Sequence, residues 1–250
     1  MTLDPLLLAV ETSTSVGSVA LYRGHRLLAA EIMPHRGEHA ARLVPSIDRA
    51  LGDSGVDRSE IEGIVVGLGP GSFTGVRIAA ATTRGLAAGL GVPVWGWSSL
   101  AAAAASHRIE VPPALASRFG ESSELDLPDE ADGWPRYVLL DARGRRVYQA
   151  CYRFLPGRLE TLVPPGAGTL DDVLEEELPG NVLFCGDGAV RHALELEDRG
   201  YRVLPLPAGL PTAQGLMRVH RLHPGAPPFA PEDRWEPHYV RSSSARPLVS

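Results

Sequence analysis

A glycine-rich turn, GLGPGSFTGVR from Gly67 to Arg77, is the sequence feature that most restricts what this chain can fold into. The apolar run from Ile64 to Gly67 is typical of a central β-strand, and Val76 to Leu90 has the composition of a helix. The turn needs glycine where the backbone bends sharply or approaches a neighbour closely, and it comprises Gly67, Gly69, Pro70, Gly71, Ser72, Phe73, Thr74, Gly75 and Arg77. A strand, turn and helix in this order indicate an α/β protein.

Two interpretations of the turn follow from its chemistry. The first residues of a helix present free backbone N–H groups, which favour anion binding. The phosphate-binding sequence GxxxxGK[ST] is nevertheless absent, because all 24 basic residues are arginine, and Ser72 and Thr74 interrupt the GxGxxG pattern. The sequence therefore favours a close-packing turn that positions the following helix, with any anion site secondary.

The remaining periodicity predicts two sets of alternating elements. The first set is an antiparallel three-stranded meander, a helix with one apolar face, the strand before the turn, the helix after it, a further strand and a short helix capped by Ser98 or Ser99. The second set is a strand pair, a helix, a strand and two helices. Their predicted ranges are Leu6–Glu11, Ser18–Tyr22, Arg26–Met33, His39–Leu51, Val92–Trp97, Tyr137–Asp141, Arg146–Phe154, Leu170–Leu178, Asn181–Cys185, Ala189–Arg199 and Gln214–Leu222.

Composition divides the chain into four parts. Residues 1–106 are predicted to form an N-terminal lobe, and residues 137–222 a smaller C-terminal lobe. Between them, residues 107–136 contain Pro112-Pro113 and many acids without an apolar period, as a surface insertion or linker does. Residues 223–250 are a proline-rich polar tail. We expect mixed sheets with crossover helices.

Charge and cysteine content limit the classes of function. A net charge of −6 argues against a protein that binds nucleic acid by itself, because phosphate contacts need a basic face. The N-terminus has no basic residues before its apolar run, and the most apolar long window is broken by arginine, glycine and proline, so neither a signal peptide nor a membrane span is predicted. Cys151 and Cys185 form no CxxC pair and suit a reducing compartment. We expect a cytoplasmic protein.

Four strings resemble one family. PGSFTGVRI at Pro70–Ile78 resembles the signature of the YeaZ/TsaB family, and AVETSTSVGSVAL around Glu11 resembles its opening strand-turn-strand, with glutamate in place of the usual aspartate. DARGRRVYQACY at Asp141 resembles the opening of its second lobe, and Pro237–Arg241 its closing Pro-x-Tyr-Leu-Arg. The resemblance covers both lobes and leaves out the insertion.

The resemblance implies a fold and a lost site. Members of this family have the two-lobed fold of actin, Hsp70 and sugar kinases, which is ribonuclease H-like, and each lobe opens with a strand-turn-strand that grips nucleotide phosphates in active relatives. The corresponding positions here form a degenerate nucleotide site: Glu11, Thr12, Ser13, Thr14, Asp141, Gly186 and Gly188. The resemblance implies no catalytic residue, no metal ligand and no cofactor of its own.

The resemblance also implies partners. The family members are non-catalytic subunits of the bacterial machinery that makes threonylcarbamoyladenosine in tRNA. They pair with the transferase TsaD and help recruit the ATPase TsaE, so ATP and a metal ion are expected on those subunits, and tRNA is reached only through the complex. A homodimer is an option when the chain is alone. The partner interface is predicted on the N-terminal helices, at Leu43, Ile47, Val76, Ala79, Ala80 and Thr83.

Two alternatives to the scaffold remain open, and a third pattern is set aside. One is an active ATP-dependent phosphotransferase of the same fold, which would depend on Glu11 and Asp141. Another is a metallopeptidase-like site at His35 and His39, although Gly37 between them weakens a helix and no third ligand is evident. Gly96-Trp97-Ser98 begins like a nucleophile elbow, but Leu100 replaces the second glycine, which favours Ser98 as a helix cap.

Overall fold

The first sheet opens with the predicted meander. In a computed structural model, which describes residues 4–33, 38–106, 133–230 and 235–236, β1 (Leu6–Glu11), β2 (Gly17–Arg23) and β3 (Arg26–Met33) pair antiparallel in chain order. All of β1 is buried, since the sheet is covered on both faces. The three-stranded meander is therefore confirmed.

Two parallel strands complete this sheet. Helix α1 (His39–Ser54) leads through a short 3-10 turn to β4 (Gly63–Gly67), and α2 (Phe73–Leu90) leads to β5 (Val94–Trp97). Both strands run parallel to β1, and the strand order is β3-β2-β1-β4-β5. The glycine turn thus joins the central strand β4 to the long helix α2, as the sequence predicts.

The second sheet has the same strand order. β6 (Arg136–Asp141), β7 (Arg146–Leu155) and β8 (Arg158–Thr169) form another antiparallel meander, and β9 (Leu183–Cys185) and β10 (Arg202–Val203) extend it parallel to β6. The order β10-β9-β6-β7-β8 is that of the first sheet read from the other edge. The two-lobed, ribonuclease H-like architecture is confirmed.

The helices of the second lobe are short. They are α4 (Leu170–Glu175), α5 (Asp187–Arg191) and α6 (Ala193–Asp198). The single helix predicted from Ala189 to Arg199 is wrong, because the chain breaks at His192 between α5 and α6. β8 was not predicted, since Pro164 and Pro165 within it hide the strand pattern.

Two helices cross between the lobes. α3 (Ser99–Ala105) follows β5 but packs with Val138, Leu140 and Ala150 of the second sheet. α7 (Ala213–Arg221) follows the second lobe, yet its apolar face packs on Ala9 and Ala20 of the first sheet. The predicted lobe 137–222 therefore contains a helix that completes the packing of the other lobe.

The two crossing helices lie against each other. A Cβ at Gly215 of α7 would lie 2.2 Å from the carbonyl oxygen of Ala102 in α3, so only glycine fits there. The hydroxyls of Ser106 and Thr212 are 2.8 Å apart, and Arg218 Nη1 donates to the Ala105 carbonyl at 2.9 Å. These contacts join the two lobes through their exchanged helices.

The chain beyond α7 returns to the first sheet. The Phe229 amide donates to the Val94 carbonyl at 2.8 Å, and the Trp95 indole donates to the Ala226 carbonyl at 3.0 Å. The ring of Trp235 stacks on Phe229 with centroids 5.0 Å apart. This segment therefore covers part of the edge strand β5.

Some sequence predictions lie outside the described residues. These are His35, most of the insertion (107–132) and the family-like string at residues 237–241. Among the helices that the structure describes, none has both the length and the apolar character needed to cross a membrane.

Candidate functional site

The glycine turn packs closely on the loop that follows β1. A Cβ at Gly71 would lie 2.3 Å from the Ser13 carbonyl oxygen, and one at Gly75 would lie 2.0 Å from that of Thr12. Real side chains do not approach a backbone oxygen so closely, so both positions require glycine. Gly69 has a φ of 87°, which also favours glycine. The close-packing interpretation of these glycines agrees with this geometry.

Hydrogen bonds fix the turn in place. The Ser72 amide donates to the Ser13 carbonyl at 2.6 Å, and the Thr12 hydroxyl donates to the Gly75 carbonyl at 2.7 Å. Ser72 is the N-cap of α2, and its hydroxyl accepts the Gly75 amide at 3.3 Å. The first turn of α2 is therefore held by the loop after β1.

Glu11 lies beneath the turn and is fully buried. Its Oε1 accepts the Ser13 amide at 2.6 Å, and its Oε2 accepts the Ser99 hydroxyl at 2.7 Å. Burial raises the pKa of Glu11, and the hydrogen bonds from Ser13 and Ser99 offset part of that rise. Gly67 leaves room for the carboxyl, because a Cβ there would lie 2.0 Å from Oε2.

A cleft of about 320 Å³ separates the lobes above these residues. It brings together part of the predicted nucleotide site and part of the glycine turn. Its lining includes Ser13, Thr14, Gly71, Ser72, Phe73, Thr74, Asp141, Arg143 and Asp187. Glu11 and Thr12 lie in the core below, and Gly186 and Gly188 pack on the Leu139 carbonyl, where a Cβ would be 2.4 and 2.9 Å from the oxygen.

Asp141 is engaged by a guanidinium. Nη1 of Arg191 lies 3.0 Å from both carboxylate oxygens, and the Arg143 amide donates to Oδ1 at 2.9 Å. The neighbouring Asp187 accepts the Asp141 amide at 2.9 Å. A carboxylate that binds Mg²⁺ must offer its oxygens to the ion, so an arginine on Asp141 does not fit that role. Both carboxylate oxygens of Asp141 are therefore already engaged within the chain.

Metal ligands are not assembled elsewhere in the described part of the chain, where no three His, Cys, Asp or Glu residues are grouped. His39 is 4 % exposed, and its Nε2 donates a hydrogen bond to the Thr14 carbonyl oxygen at 2.9 Å. Ser98, one of the two predicted cap residues, is the N-cap residue of α3. Burial raises the pKa of the Cys151 and Cys185 thiols to about 12, so neither is a ready nucleophile.

The predicted partner interface is wrong as a set of residues. All six of its members are buried within the chain itself: Leu43, Ile47, Val76, Ala79, Ala80 and Thr83. Leu43, Ile47 and Ala79 belong to the core of the first lobe, and the Thr83 hydroxyl donates to the Ala79 carbonyl at 2.8 Å. The small residues let α2 pack closely on its own sheet, so they are unavailable to a partner.

The opposite face of the same helices is exposed. Along α2 it carries small residues, including Ala81, Gly85 and Ala88. At its start Phe73 is 55 % exposed, and the guanidinium carbon of Arg77 lies 3.6 Å from the centre of the Phe73 ring. Val44 of α1 is also exposed, at 44 %. The sequence-based interface prediction did not include this surface. The helical period could have located it, because the residues opposite a buried face are the exposed ones.

The repeated strand order and the cleft between the lobes place the chain in the class of two-lobed actin-like proteins. A family model described as TsaD, tRNA N6-adenosine threonylcarbamoyltransferase, matches residues 32–118. The chain is 31% identical to the tRNA threonylcarbamoyladenosine biosynthesis protein TsaB of Bacillus subtilis, over 77% of this chain and 75% of that protein. It is 43% identical to TsaB of Haemophilus influenzae, over 39% of this chain and 41% of that protein.

Solved structures give the same result. YeaZ from Pseudomonas aeruginosa is 28% identical, with a TM-score of 0.65 over 88% of this chain and 92% of that one. A second Pseudomonas aeruginosa protein, with similarity to peptidase YeaZ, is 27% identical, with a TM-score of 0.72 over 95% of this chain and 100% of that one. The chain belongs to the YeaZ/TsaB family.

Proposed function

We propose that this chain acts in the biosynthesis of threonylcarbamoyladenosine in tRNA as a non-catalytic subunit. It pairs with a TsaD-like transferase subunit through the exposed face of α1 and α2, supports the active conformation of that subunit, and helps recruit a TsaE-like ATPase. The partner transfers the threonylcarbamoyl group from its adenylate to the adenosine next to the anticodon. The observation that most supports this proposal is the exposed face of small residues on α2.

The names of the relatives support a role in threonylcarbamoyladenosine biosynthesis. The TsaB proteins of Bacillus subtilis and Haemophilus influenzae are named for this biosynthesis. The TsaD family model covers residues 32–118, the segment that contains α1 and α2, so these helices resemble those of the transferase family. In the resembled family, the matching helices of the two subunits pack together as a bundle.

The surface supports pairing. Small side chains at Ala81, Gly85 and Ala88 allow a second helix to approach the backbone of α2 closely, with Phe73 as an exposed aromatic anchor at one end. A stable interface buries roughly 800 Å² per partner, about the area of two helix faces. Two copies of the chain could pair through the same face when the transferase subunit is absent. The net charge of −6 favours indirect contact with tRNA, through partners that supply the basic surface.

The non-catalytic role is supported by the altered cleft, in which Arg191 engages Asp141. The alternative, an active phosphotransferase, requires stoichiometric Mg-ATP binding by the purified chain, weakened by Asp141→Ala. Calorimetric titration of the chain alone with Mg-ATP distinguishes the two roles. Binding near 1:1 contradicts the non-catalytic proposal.

Pairing is tested with matched substitutions of two exposed glycines. A Cβ meets nothing within 4 Å at either Gly85 on α2 or Gly180 in the second lobe. We expect Gly85→Arg to abolish co-purification with the transferase subunit and Gly180→Arg to leave it intact, while both variants keep the wild-type circular dichroism. The originally predicted positions Val76 and Ala80 are unsuitable, because arginine there would disrupt the core.

A clean deletion tests the process itself. We expect the tRNA of the deletion strain to lose threonylcarbamoyladenosine, and plasmid-borne wild type or Gly180→Arg, but not Gly85→Arg, to restore it. Undiminished modification in the deletion strain contradicts the proposal. A TsaE-like subunit that joins the transferase subunit in the presence of Gly180→Arg but not of Gly85→Arg would support the recruiting role.

A further inference from the structure

The carboxyl of Glu11 connects three segments that are far apart in sequence. It belongs to the end of β1, it accepts the Ser99 hydroxyl at the start of α3, and it fills the space left by Gly67 at the end of β4. The Ser99 hydroxyl also accepts the Gly69 amide at 3.0 Å, and the Ser99 amide donates to the Gly69 carbonyl at 2.8 Å. Glu11 and Ser99 therefore bridge the glycine turn to α3.

The bridge lies at a junction between the lobes. α3 packs on the second sheet, and the glycine turn leads directly into α2, which carries the exposed face described above. The described hydrogen bonds of the turn lead to the loop after β1, to Trp97 at the end of β5 and to Ser99, at the start of α3. Loss of the bridge would remove both side-chain hydrogen bonds of Ser99 to this region, the one from Gly69 and the one to Glu11, and leave only its backbone bond to Gly69.

We propose that Glu11 is a positioning residue, which through Ser99 and Gly69 fixes the first turn of α2, and the face behind it, relative to α3 and the second lobe. This inference rests on the proposed function for the identity of the partner. It concerns a residue that the sequence assigns only to a degenerate nucleotide site. The reach of the side chain, rather than its charge, is the property that carries this role.

The length of the side chain at position 11 decides whether it can contact Ser99. Aspartate is shorter by one carbon–carbon bond of about 1.5 Å, which takes its oxygen out of hydrogen-bonding range of Ser99. Glutamine keeps the reach, since its carbonyl can accept the Ser13 amide and its amide can donate to the Ser99 hydroxyl. Glu11→Asp therefore shortens the side chain and keeps its charge, whereas Glu11→Gln keeps the length and removes the charge.

Hydrogen exchange in the full chain, without any partner, gives the first test. We expect Glu11→Asp and Ser99→Ala each to speed amide exchange in residues 73–78 about tenfold, and the double variant to be no faster than either. Glu11→Gln should exchange like the wild type. Ile47→Val, a change in the hydrophobic core of the same lobe, serves as the control for general destabilisation.

Two results overturn the proposal: exchange in residues 73–78 that rises no more than in Ile47→Val, or effects of Glu11→Asp and Ser99→Ala that add. The first turn of α2 is then fixed without the bridge. Ser99→Ala keeps the test decisive if Glu11→Asp does not fold.

Affinity for the transferase subunit gives the second test. We expect Glu11→Asp to weaken binding about tenfold, Glu11→Gln to bind within twofold of the wild type, and Ile47→Val to do the same. Equal affinity of Glu11→Asp and wild type contradicts the link to the partner face. If the wild-type chain does not bind the transferase at all, the proposed function fails while the exchange experiment still decides the role of Glu11.

Discussion

Glu11 is the single carboxyl group among the described residues that is fully buried, and its surroundings explain why it is tolerated. Its carboxylate oxygens accept hydrogen bonds that include those from the Ser13 amide and the Ser99 hydroxyl. No cation among the described residues contributes to its pKa, so the cost of burying its charge appears as a raised pKa. The ionisation of Glu11 is therefore coupled to the stability of the fold.

The sign of that coupling gives a prediction. Because the pKa is raised on folding, Glu11 contributes most to stability below its unfolded value of 4.5 and loses that contribution as pH rises through the folded value. Each unit of rise is worth about 1.4 kcal/mol. We expect the free energy of unfolding of the wild type to fall relative to Glu11→Gln as pH rises above 4.5, measured by urea denaturation. Parallel pH profiles for the two proteins would contradict the raised pKa.

At the scale of single elements, α2 contains one glycine that its packing requires and one that it does not. Gly75 sits at its start, where a Cβ would lie 2.0 Å from a backbone oxygen, whereas Gly85 lies on the outer face with nothing within 4 Å. The first glycine is required by the close approach to the loop after β1. The second costs helix stability without an intramolecular reason, which is consistent with a face used by another chain.

Alanine at these glycines should therefore have opposite effects. We expect Gly85→Ala to raise the free energy of unfolding by about 0.5–1 kcal/mol, because alanine favours the helix. Gly75→Ala should lower it by about 1–3 kcal/mol, since the loop must move to admit a methyl group. Guanidinium denaturation of the isolated chain measures both. A neutral Gly75→Ala would show that the loop gives way easily.

Most elements of the first lobe could be predicted from sequence, because strands, glycine turns and helix caps are local signals. β1 has the predicted bounds, and α2 begins three residues before the predicted start, behind its Ser72 cap. The partner residues could not be predicted, since a helical period shows that an apolar face exists and not what covers it. Leu43 and Ala79 were assigned to a partner, and their own sheet covers them.

Long-range contacts were the other missing information. The destination of α7 on the first sheet depends on contacts such as the Ala213 amide with the Ser18 hydroxyl, 195 positions apart at 2.9 Å. The cleft could be predicted only as a set of positions from the family resemblance. The Arg191 partner of Asp141 carries no local signal, because the two residues meet only after the second sheet forms.

On the scale of the whole molecule, the lobes are joined by exchange of α3 and α7. α3 directly follows the first sheet in sequence but packs on the second, and α7 directly follows the second sheet but packs on the first. They meet at Gly215 and Ala102, and the Ser106 and Thr212 hydroxyls close the contact. Unfolding of either lobe would displace the helix that covers the sheet of the other lobe and expose its core residues. The two lobes should therefore unfold together.

Calorimetry tests this cooperation. We expect one thermal transition with calorimetric and van't Hoff enthalpies that agree, as for a single cooperative unit. Gly215→Ala should lower the stability of that unit by about 1–3 kcal/mol, because its methyl group would collide with the Ala102 carbonyl. Gly225→Ala, where a Cβ meets nothing within 4 Å, is the matched control. Two separate transitions in the wild type would show that the lobes are independent.

The return of the last described segment to the first lobe has a consequence for synthesis on the ribosome. β1 to β5 emerge early, but Ala213, Leu216 and Met217 of α7, and then Phe229 and Trp235, reach their places on that lobe only after the second lobe has been made. The nascent first lobe therefore waits with one face of its sheet uncovered while the ribosome translates about a hundred further codons, which takes about 5 s at the fastest translation rates and about 20 s at the slowest. That interval is when the chain most needs protection from aggregation.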